Sequence, residues 1–198
     1  MIFYGASGHA KVVIEAWVAS GGSVTAIFDD NEKVTQLLGY TVVGKFKSQQ
    51  NVPCVVSIGA NRVRKTIVDK ISTQYGKVIH PHSSVSPSSK LGEGTVVMAR
   101  AVVNAATTIG KHVIINTTAS VDHDCVLEDF VHIAPGAVLC GDVCVGEGTL
   151  IGAGAIVIPG IKIGKWCTIG AGAVVVKDVS DNSLVAGNPA MNIQNRKS

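Results

Sequence analysis

The feature that most restricts the fold is a period. From Ile79 to Val175 every sixth residue is Ile, Leu or Val, with no insertion. Four residues after each of these positions the side chain is usually small, as at Ser89, Thr95, Ala101, Thr107, Ala119, Ala137, Ala155 and Ala173. An α-helix repeats at ~3.6 residues and a flat strand at ~2, so neither produces a period of six. A parallel β-helix does. Each hexapeptide supplies one short strand and one corner, with the aliphatic pointing inward and the small residue fitting beside it. Glycine makes up 22 of the 198 residues and is expected at the corners, where it supplies unusual backbone angles.

Residues 1–77 follow a different pattern. "MIFYGA" reads as a short buried strand and "KVVIEAWVAS" as an amphipathic helix stopped by "GGS". "VTAIFDD" reads as a second strand ending in two carboxylates. After a variable loop, "VPCVVSIG" is a third strand, and "NRVRKTIVDKISTQYG" is a helix opened by Asn61 and closed by Gly76. Such a βαβ series implies a small parallel sheet, half of a nucleotide-binding fold. The expected organisation is therefore an α/β half-Rossmann domain over 1–77, then a β-helix with a C-terminal tail over 78–198.

Composition narrows the partners. A net charge of +3 without a lysine-rich run argues against nucleic acid. Glycine interrupts every apolar run before the ~18 residues that a membrane span needs. The opening "MIFYGASGHA" has no basic n-region and no cleavage site, so the expected location is the cytoplasm. The five cysteines (Cys54, Cys125, Cys140, Cys144, Cys167) form no CxxC pair and read as reduced thiols in small buried positions.

Several segments together carry a resemblance. "YGASGHAKVV", "IFDD", "VSIGANRVRK", "VIHPHSSVSPSS", "NTTASVDHDCVLEDFVHIAPGAVLCGDVCVGEGTLIGAGAIVIPGIKIG" and "VAGNPA" resemble the sugar O- and N-acetyltransferases among the hexapeptide acyltransferases. These include sialic acid O-acetyltransferases and the nucleotide-amino-sugar N-acetyltransferases of bacterial glycan synthesis, of the bacillosamine-pathway type. The resemblance implies a left-handed β-helix with three hexapeptides to the coil. It also implies a homotrimer with active sites between neighbouring β-helices, acetyl-CoA as co-substrate and no metal. Handedness rests on the resemblance, because the general rule for parallel crossovers favours the right hand.

Three hexapeptides to the coil place Gly141, eighteen residues after His123, one coil above it, ~4.8 Å away in the stacking direction. The glycine leaves space beside the imidazole and exposes a backbone N–H. A base next to an oxyanion donor is what acyl transfer requires. Geometry alone equally allows His123 to be a solvated corner residue. The resemblance makes His123 the general base, Asp124 the carboxylate that tunes it, and the Gly141 N–H the oxyanion donor. His132 lies half a coil further on and cannot meet His123 within one chain. By resemblance it contacts the acetyl or thiol end of coenzyme A across a subunit boundary. The pantetheine arm is then expected along Ala153 and Ala171, with Lys162, Lys165 and Lys177 as candidates for the phosphates.

In the first domain "GASGHAKV" follows a strand and opens a helix, so its amides can face a phosphate at the positive helix end. It lacks the GxGxxG fingerprint of a dinucleotide site. The resemblance implies that Ser7, Gly8, His9, Asp29, Asp30 and Gly59 hold a UDP-sugar, with Asn116 facing the sugar in the cleft. The expected reaction is acetylation of the 4-amino group of a nucleotide-linked amino-deoxy sugar; O-acetylation of sialic acid is the alternative. Two remoter readings remain. A gamma-type carbonic anhydrase would want a histidine five residues after His123, where Glu128 stands, and His112 reads as an exposed corner. A non-catalytic scaffold leaves the His123–Gly141 register without a reason.

Overall fold

The computed structural model describes residues 1–46 and 51–193; the last residues of the expected tail, 194–198, lie outside them. The N-terminal region contains β1 (Ile2–Tyr4), α1 (Gly8–Ala19), β2 (Ala26–Phe28), β3 (Gln36–Leu37), β4 (Tyr40–Val43), β5 (Cys54–Val56) and α2 (Asn61–Lys70). Its sheet runs β3-β4-β2-β1-β5, parallel except for β3, which pairs antiparallel with β4. The short antiparallel pair occupies what the sequence reads as a variable loop. It turns at Leu38 and Gly39, both at positive φ (50° and 80°), the pattern of a two-residue hairpin turn. A leucine at such a position is a weak turn signal, which is why the hairpin escapes the sequence.

The two helices cover opposite faces of this sheet. On one side α1 packs with Phe3, Ile27, Val42 and Val55. On the other, Ile67 and Val68 of α2 pack with Ile2, Tyr4, Phe28 and Val56. The second helix is shorter than the sequence suggests. Ala60 is its N-cap and Asn61 lies inside it, while Ile71 is already extended (φ −105°, ψ 134°). Ile71 leaves the helix to join the apolar cluster, and Tyr75 forms a parallel bridge to Cys54 beside β5. The Tyr75 hydroxyl donates to the carbonyls of Val68 and Ile71, satisfying helix-end acceptors that a glycine stop would otherwise serve.

From Val78 onward the chain is a β-solenoid with parallel coils. Each coil has three two-residue strands, and partners lie eighteen residues apart, as in Val103↔Val121 and Val121↔Leu139. We call the sheet that begins with Val78–Ile79 the first face, that beginning with Ser84–Val85 the second, and that beginning with Lys90–Leu91 the third. The six-residue positions form the core: Val97, Ile115, Ile133, Leu139, Ile151 and Ile169 are fully buried. Complete burial of each such aliphatic is worth ~1.5–3 kcal/mol. The small residues pack beside them, and the buried hydroxyls of Thr95, Thr107 and Thr149 donate to the carbonyls of Gly110, Asp122 and Gly164. Cys54, Cys125 and Cys167 are buried free thiols, whereas Cys140 and Cys144 are only half-buried.

The corners depart from the glycine expectation. The third residue of every corner is left-handed from Gly94 through Gly172, yet non-glycine residues outnumber glycines there: Arg100, Ala106, His112, Thr118, Asp124, Phe130, Asp142 and Trp166 all have φ between 55° and 60°. The parallel ladder on both sides imposes the turn and offsets the ~1–2 kcal/mol that left-handed backbone costs a residue with a Cβ.

The two regions meet along the first face. Its outward column is Val78, Val96, Ile114, His132, Leu150, Thr168 in register. The first three are apolar and buried with α1 in one cluster. A second clamp forms where α2 meets the third corner of each coil, between the third and first faces. Arg64 is only 1% exposed; its Nε donates to the carbonyl of His112 (2.9 Å) and its Nη2 to that of Phe130 (2.8 Å), one coil further on. His112 is 3% exposed, packed between Tyr75 and Phe130, which corrects its reading as an exposed corner. No helix among the described residues is long and apolar enough to cross a membrane.

Candidate active site

His123 stands at the second corner, between the second and third faces, with its side chain 60% exposed. Asp124 follows it in left-handed backbone (φ 60°), and that turn brings the carboxylate back onto the imidazole. The His123 Nδ1 and Asp124 Oδ2 are 2.8 Å apart. With Nδ1–H donated to the carboxylate, Nε2 carries the free lone pair. The Asp124 hydrogen bond, then the charge of Asp122, raise the His123 pKa above its ordinary value.

Gly141 lies directly over this ring. A Cβ built on it would come within 2.5 Å of His123 Cε1 and 2.7 Å of Nε2. Its φ is outside the left-handed region, so glycine is needed here for space and not for backbone angle. The Gly141 carbonyl accepts from the Gly160 N–H (3.0 Å). Its own N–H has no partner among the described residues. The equivalent amides of Lys111, Glu147 and Lys165, at the third corner, are each taken by a carboxylate. At the second corner the imidazole therefore fills the space that Gly141 leaves bare, with Gly141 itself buried, and the lone pair of the ring lies beside the unused Gly141 N–H.

His132 belongs to the first face and makes its contacts with the N-terminal region. Its Nδ1 is 3.2 Å from the Gly59 carbonyl and its Nε2 3.1 Å from Asn116 Nδ2. Nδ1–H donates to the carbonyl and Nε2 accepts from the amide, which fixes a neutral tautomer. Burial, then Arg64 and His9, push its pKa down to about 3. The His9 ring lies 6.1 Å away, and Gly59 packs against His9. Ser7, Gly8, His9, Gly59, His132 and Asn116 are thus gathered in one neighbourhood. Above them a cavity of about 440 Å³ is lined by Gly59 to Arg62, His132, Leu150, Trp166 and Thr168. Arg62 lies over the Trp166 ring at 4.5 Å.

At the nucleotide-like loop, Ser7 caps α1 without a side-chain hydrogen bond, and no acidic residue lies in the first turn. Space above Gly8 is open. Asp29 is committed to the loop itself: Oδ2 accepts from Ala6 N–H (2.6 Å) and Oδ1 from Asn31 N–H (2.8 Å). Asp30 is exposed. Ala153 and Ala171 stack at the first corner, where the Gly172 N–H donates to the Ala153 carbonyl and both alanines are exposed. Lys177 is exposed and follows the last strand of the second face. Lys165 sits at the third corner, paired with Glu128 (3.4 Å), and Lys162 is on the third face. Among the described residues no group of three His, Cys, Asp or Glu is arranged to hold a metal. Sequence reasoning missed Arg64, Arg62 and Trp166; each acts through the docking of α2, which no local spacing encodes.

Comparison with known proteins defines the class first. Residues 1–71 match the PglD N-terminal domain and residues 142–177 the bacterial transferase hexapeptide family (six repeats). The UDP-N-acetylbacillosamine N-acetyltransferase of Bacillus subtilis is 38% identical over 106 residues, which cover 48% of this chain and 49% of that protein. The chain thus spans about half the length of that curated relative, and the match to the uncharacterized protein L142 of Acanthamoeba polyphaga mimivirus covers 20% of its length. Solved structures align end to end. The acetyltransferase domain of PglB from Neisseria gonorrhoeae, in complex with acetyl coenzyme A, is 40% identical with a TM-score of 0.91, covering 97% of this chain and 98% of that one. PerB from Caulobacter crescentus, in complex with CoA and GDP-perosamine, is 41% identical with a TM-score of 0.90, covering 97% and 96%. The chain belongs to the PglD-type nucleotide-sugar N-acetyltransferase family of hexapeptide-repeat transferases.

Proposed function

We propose that this protein transfers the acetyl group of acetyl-CoA to the 4-amino group of a UDP-linked amino-deoxy sugar, acting as a cytoplasmic homotrimer. The observation that carries the reading is the second corner, where His123, oriented by Asp124, is seated in the space left by Gly141. The sugar nitrogen attacks the thioester carbonyl. The C–N bond forms and the C–S bond breaks. His123 Nε2 takes a proton from the nitrogen, the Gly141 N–H steadies the developing oxyanion, and the proton passes to the departing thiolate. General base and oxyanion contributions of this kind are each worth ~10²–10⁴ in rate.

Within one chain His123 and Gly141 stand at one edge of the second face, and Ala153 and Ala171 at the other. A site using both sets needs two chains, which supports the trimer. The outward column between them, including Val102, Val138, Ile156 and Val174, is only partly covered, with Ile156 41% exposed. In this assembly the pantetheine arm follows Ala153 and Ala171, His132 contacts the acetyl end, and Lys177 meets a phosphate. The nucleotide lies at Ser7, Gly8, His9, Asp30 and Gly59. Asp29 supports it by holding the Ala6 amide, and Asn116 faces the sugar. The division into a sugar-nucleotide domain over 1–77 and an acetyltransferase domain over 78–198 follows the same reading.

The test has two parts. Thermal shift with UDP, GDP, dTDP and CMP identifies the nucleotide, since stabilisation scales as RT ln(1 + [L]/Kd); UDP is expected to give the largest shift. Thiol release from acetyl-CoA with the corresponding 4-amino sugars then gives kcat. His123→Ala is expected to lower kcat by ~10²–10⁴ and leave acetyl-CoA affinity nearly unchanged. Equal loss of coenzyme binding and rate would make His123 a ligand-positioning group and overturn its role as base.

A further inference from the structure

The second corner solves a packing problem differently from the third. At both, the second corner residue has an N–H outside the parallel ladder. At the third corner the Lys111 and Lys165 amides are capped from the next coil by Asp129 Oδ1 (2.7 Å) and Asp181 Oδ1 (2.8 Å). Those carboxylates occupy the space above the corner: a Cβ on Gly110 would meet Asp129 Oδ1 at 2.5 Å. A cap of that kind over His123 would take the space that the imidazole fills against Gly141. Instead the His123 amide is capped from within its own corner by Asp122 Oδ1 (2.8 Å).

Asp122 is itself held on three sides. Its N–H donates to the Leu139 carbonyl (3.0 Å), and its carbonyl accepts from the Thr107 hydroxyl (2.8 Å). Its Oδ1 also accepts from Asn104 Nδ2 (2.8 Å), one coil below. The bond from Asn104, then that from the His123 amide, hold the Asp122 carboxyl below the usual carboxylate range. The ionised carboxylate accepts both N–H bonds on one oxygen, so any rotation of its side chain releases the His123 backbone.

We propose that Asp122 is a positioning residue for acetyl transfer and Asn104 its anchor: capping the His123 amide from within its own corner seats the imidazole against Gly141 with no carboxylate from the coil above in its place. This rests on the reading of His123 as the general base. A reacting group misplaced by ~1 Å can cost on the order of 10² in rate.

The experiment compares Asp122→Ala, Asp122→Asn, Asn104→Ala and His123→Ala in the full chain. The amine is whichever UDP-, GDP- or dTDP-linked 4-amino sugar turns over fastest with the unmodified protein. The His123 ring is also titrated by NMR without substrate. Asp122→Ala is expected to lower kcat at least about tenfold with acetyl-CoA KM within about twofold, and Asn104→Ala to lower it roughly threefold. Asp122→Asn retains an oxygen for both N–H donors and is expected to recover most of kcat. It also removes a charge beside the ring, so the His123 midpoint falls; in Asn104→Ala the charge stays and the midpoint holds. A merely structural role would lower melting temperature in all three without this split between charge and position. If Asp122→Ala does not fold, Asp122→Asn and Asn104→Ala still decide the matter. Wild-type kcat in Asn104→Ala and a wild-type midpoint in Asp122→Asn would overturn the proposal. Full turnover in His123→Ala would instead overturn the base assignment; an inactive His123→Ala beside unaffected Asp122 and Asn104 variants would remove the positioning role alone.

Discussion

At the second corner of the solenoid His123 faces solvent over a buried Gly141; at the third, His112, Phe130, Gly148 and Trp166 lie along α2. Both corners repeat the same left-handed turn every eighteen residues. At the third, the carbonyls of His112, Phe130 and Gly148 are bonded by Arg64 and Asn61, and the amides of Lys111, Glu147 and Lys165, though not that of Asp129, by carboxylates. Its histidine is driven neutral, with burial, then Arg64, pushing His112 down to about 4. The second corner keeps an unused amide and a histidine whose basicity is raised by Asp124. One backbone repeat thus yields a dry structural seam and an open chemical edge, and what separates them is whether another element covers the corner.

The largest expected effect comes from closing the open edge. Gly141→Val introduces no backbone strain, because φ there is ordinary, and the three atoms nearest its Cβ all belong to the His123 ring. The variant is expected to fold and keep its melting temperature while kcat/KM falls by ~10² or more, as the ring is pushed from its seat. Kinetics at saturating and limiting acetyl-CoA check this. Full activity would mean that the seat of the imidazole against Gly141 does not matter to the reaction.

How far the sequence showed all this differs between the same two corners. The His123–Gly141 contact follows from counting, because the solenoid repeats without insertion from Ile79 to Val175 and each residue's place is set by its number. His112 is equally well placed by counting, but its burial depends on a helix nearly fifty residues earlier. Periodicity carries no information about what docks on a corner. The β3–β4 hairpin was hidden because Leu38 stands where glycine or asparagine would signal the turn. Asp29 was legible as a strand-end carboxylate, yet not as the group that holds the Ala6 amide.

A smaller effect is expected from opening the closed seam. Arg64→Ala leaves the buried carbonyls of His112 and Phe130 without their donor, and each such loss costs ~1–3 kcal/mol. Roughly 3 kcal/mol in all corresponds to a fall of about 10 °C in Tm for a chain of this size. Arg64→Lys recovers only part, because an ammonium cannot span carbonyls one coil apart as the guanidinium fork does. Thermal unfolding of the two variants checks the order; a change in Tm below about 2 °C for Arg64→Ala would show that α2 is held chiefly by its apolar contacts.

The smallest effect, and the most specific, concerns Asp124. Its hydrogen bond to Nδ1 is the first cause of the raised His123 pKa, and a base must be neutral to accept a proton. Activity therefore rises with pH as His123 loses its proton, and the midpoint of that acid limb lies above the ordinary histidine value. Asp124→Asn removes the charge, so the midpoint moves to lower pH while the imidazole becomes a weaker base. The plateau is then expected to fall by about three- to tenfold, less than in His123→Ala, because the ring still sits against Gly141 with Nε2 available. The third corner provides the control: His112 is neutral throughout this range, and its substitution should leave the acid limb in place. A pH profile of kcat/KM for Asp124→Asn decides the sign. An acid limb that stays put or moves upward would show that Asp124 does not tune His123, and that the two corners differ in exposure alone.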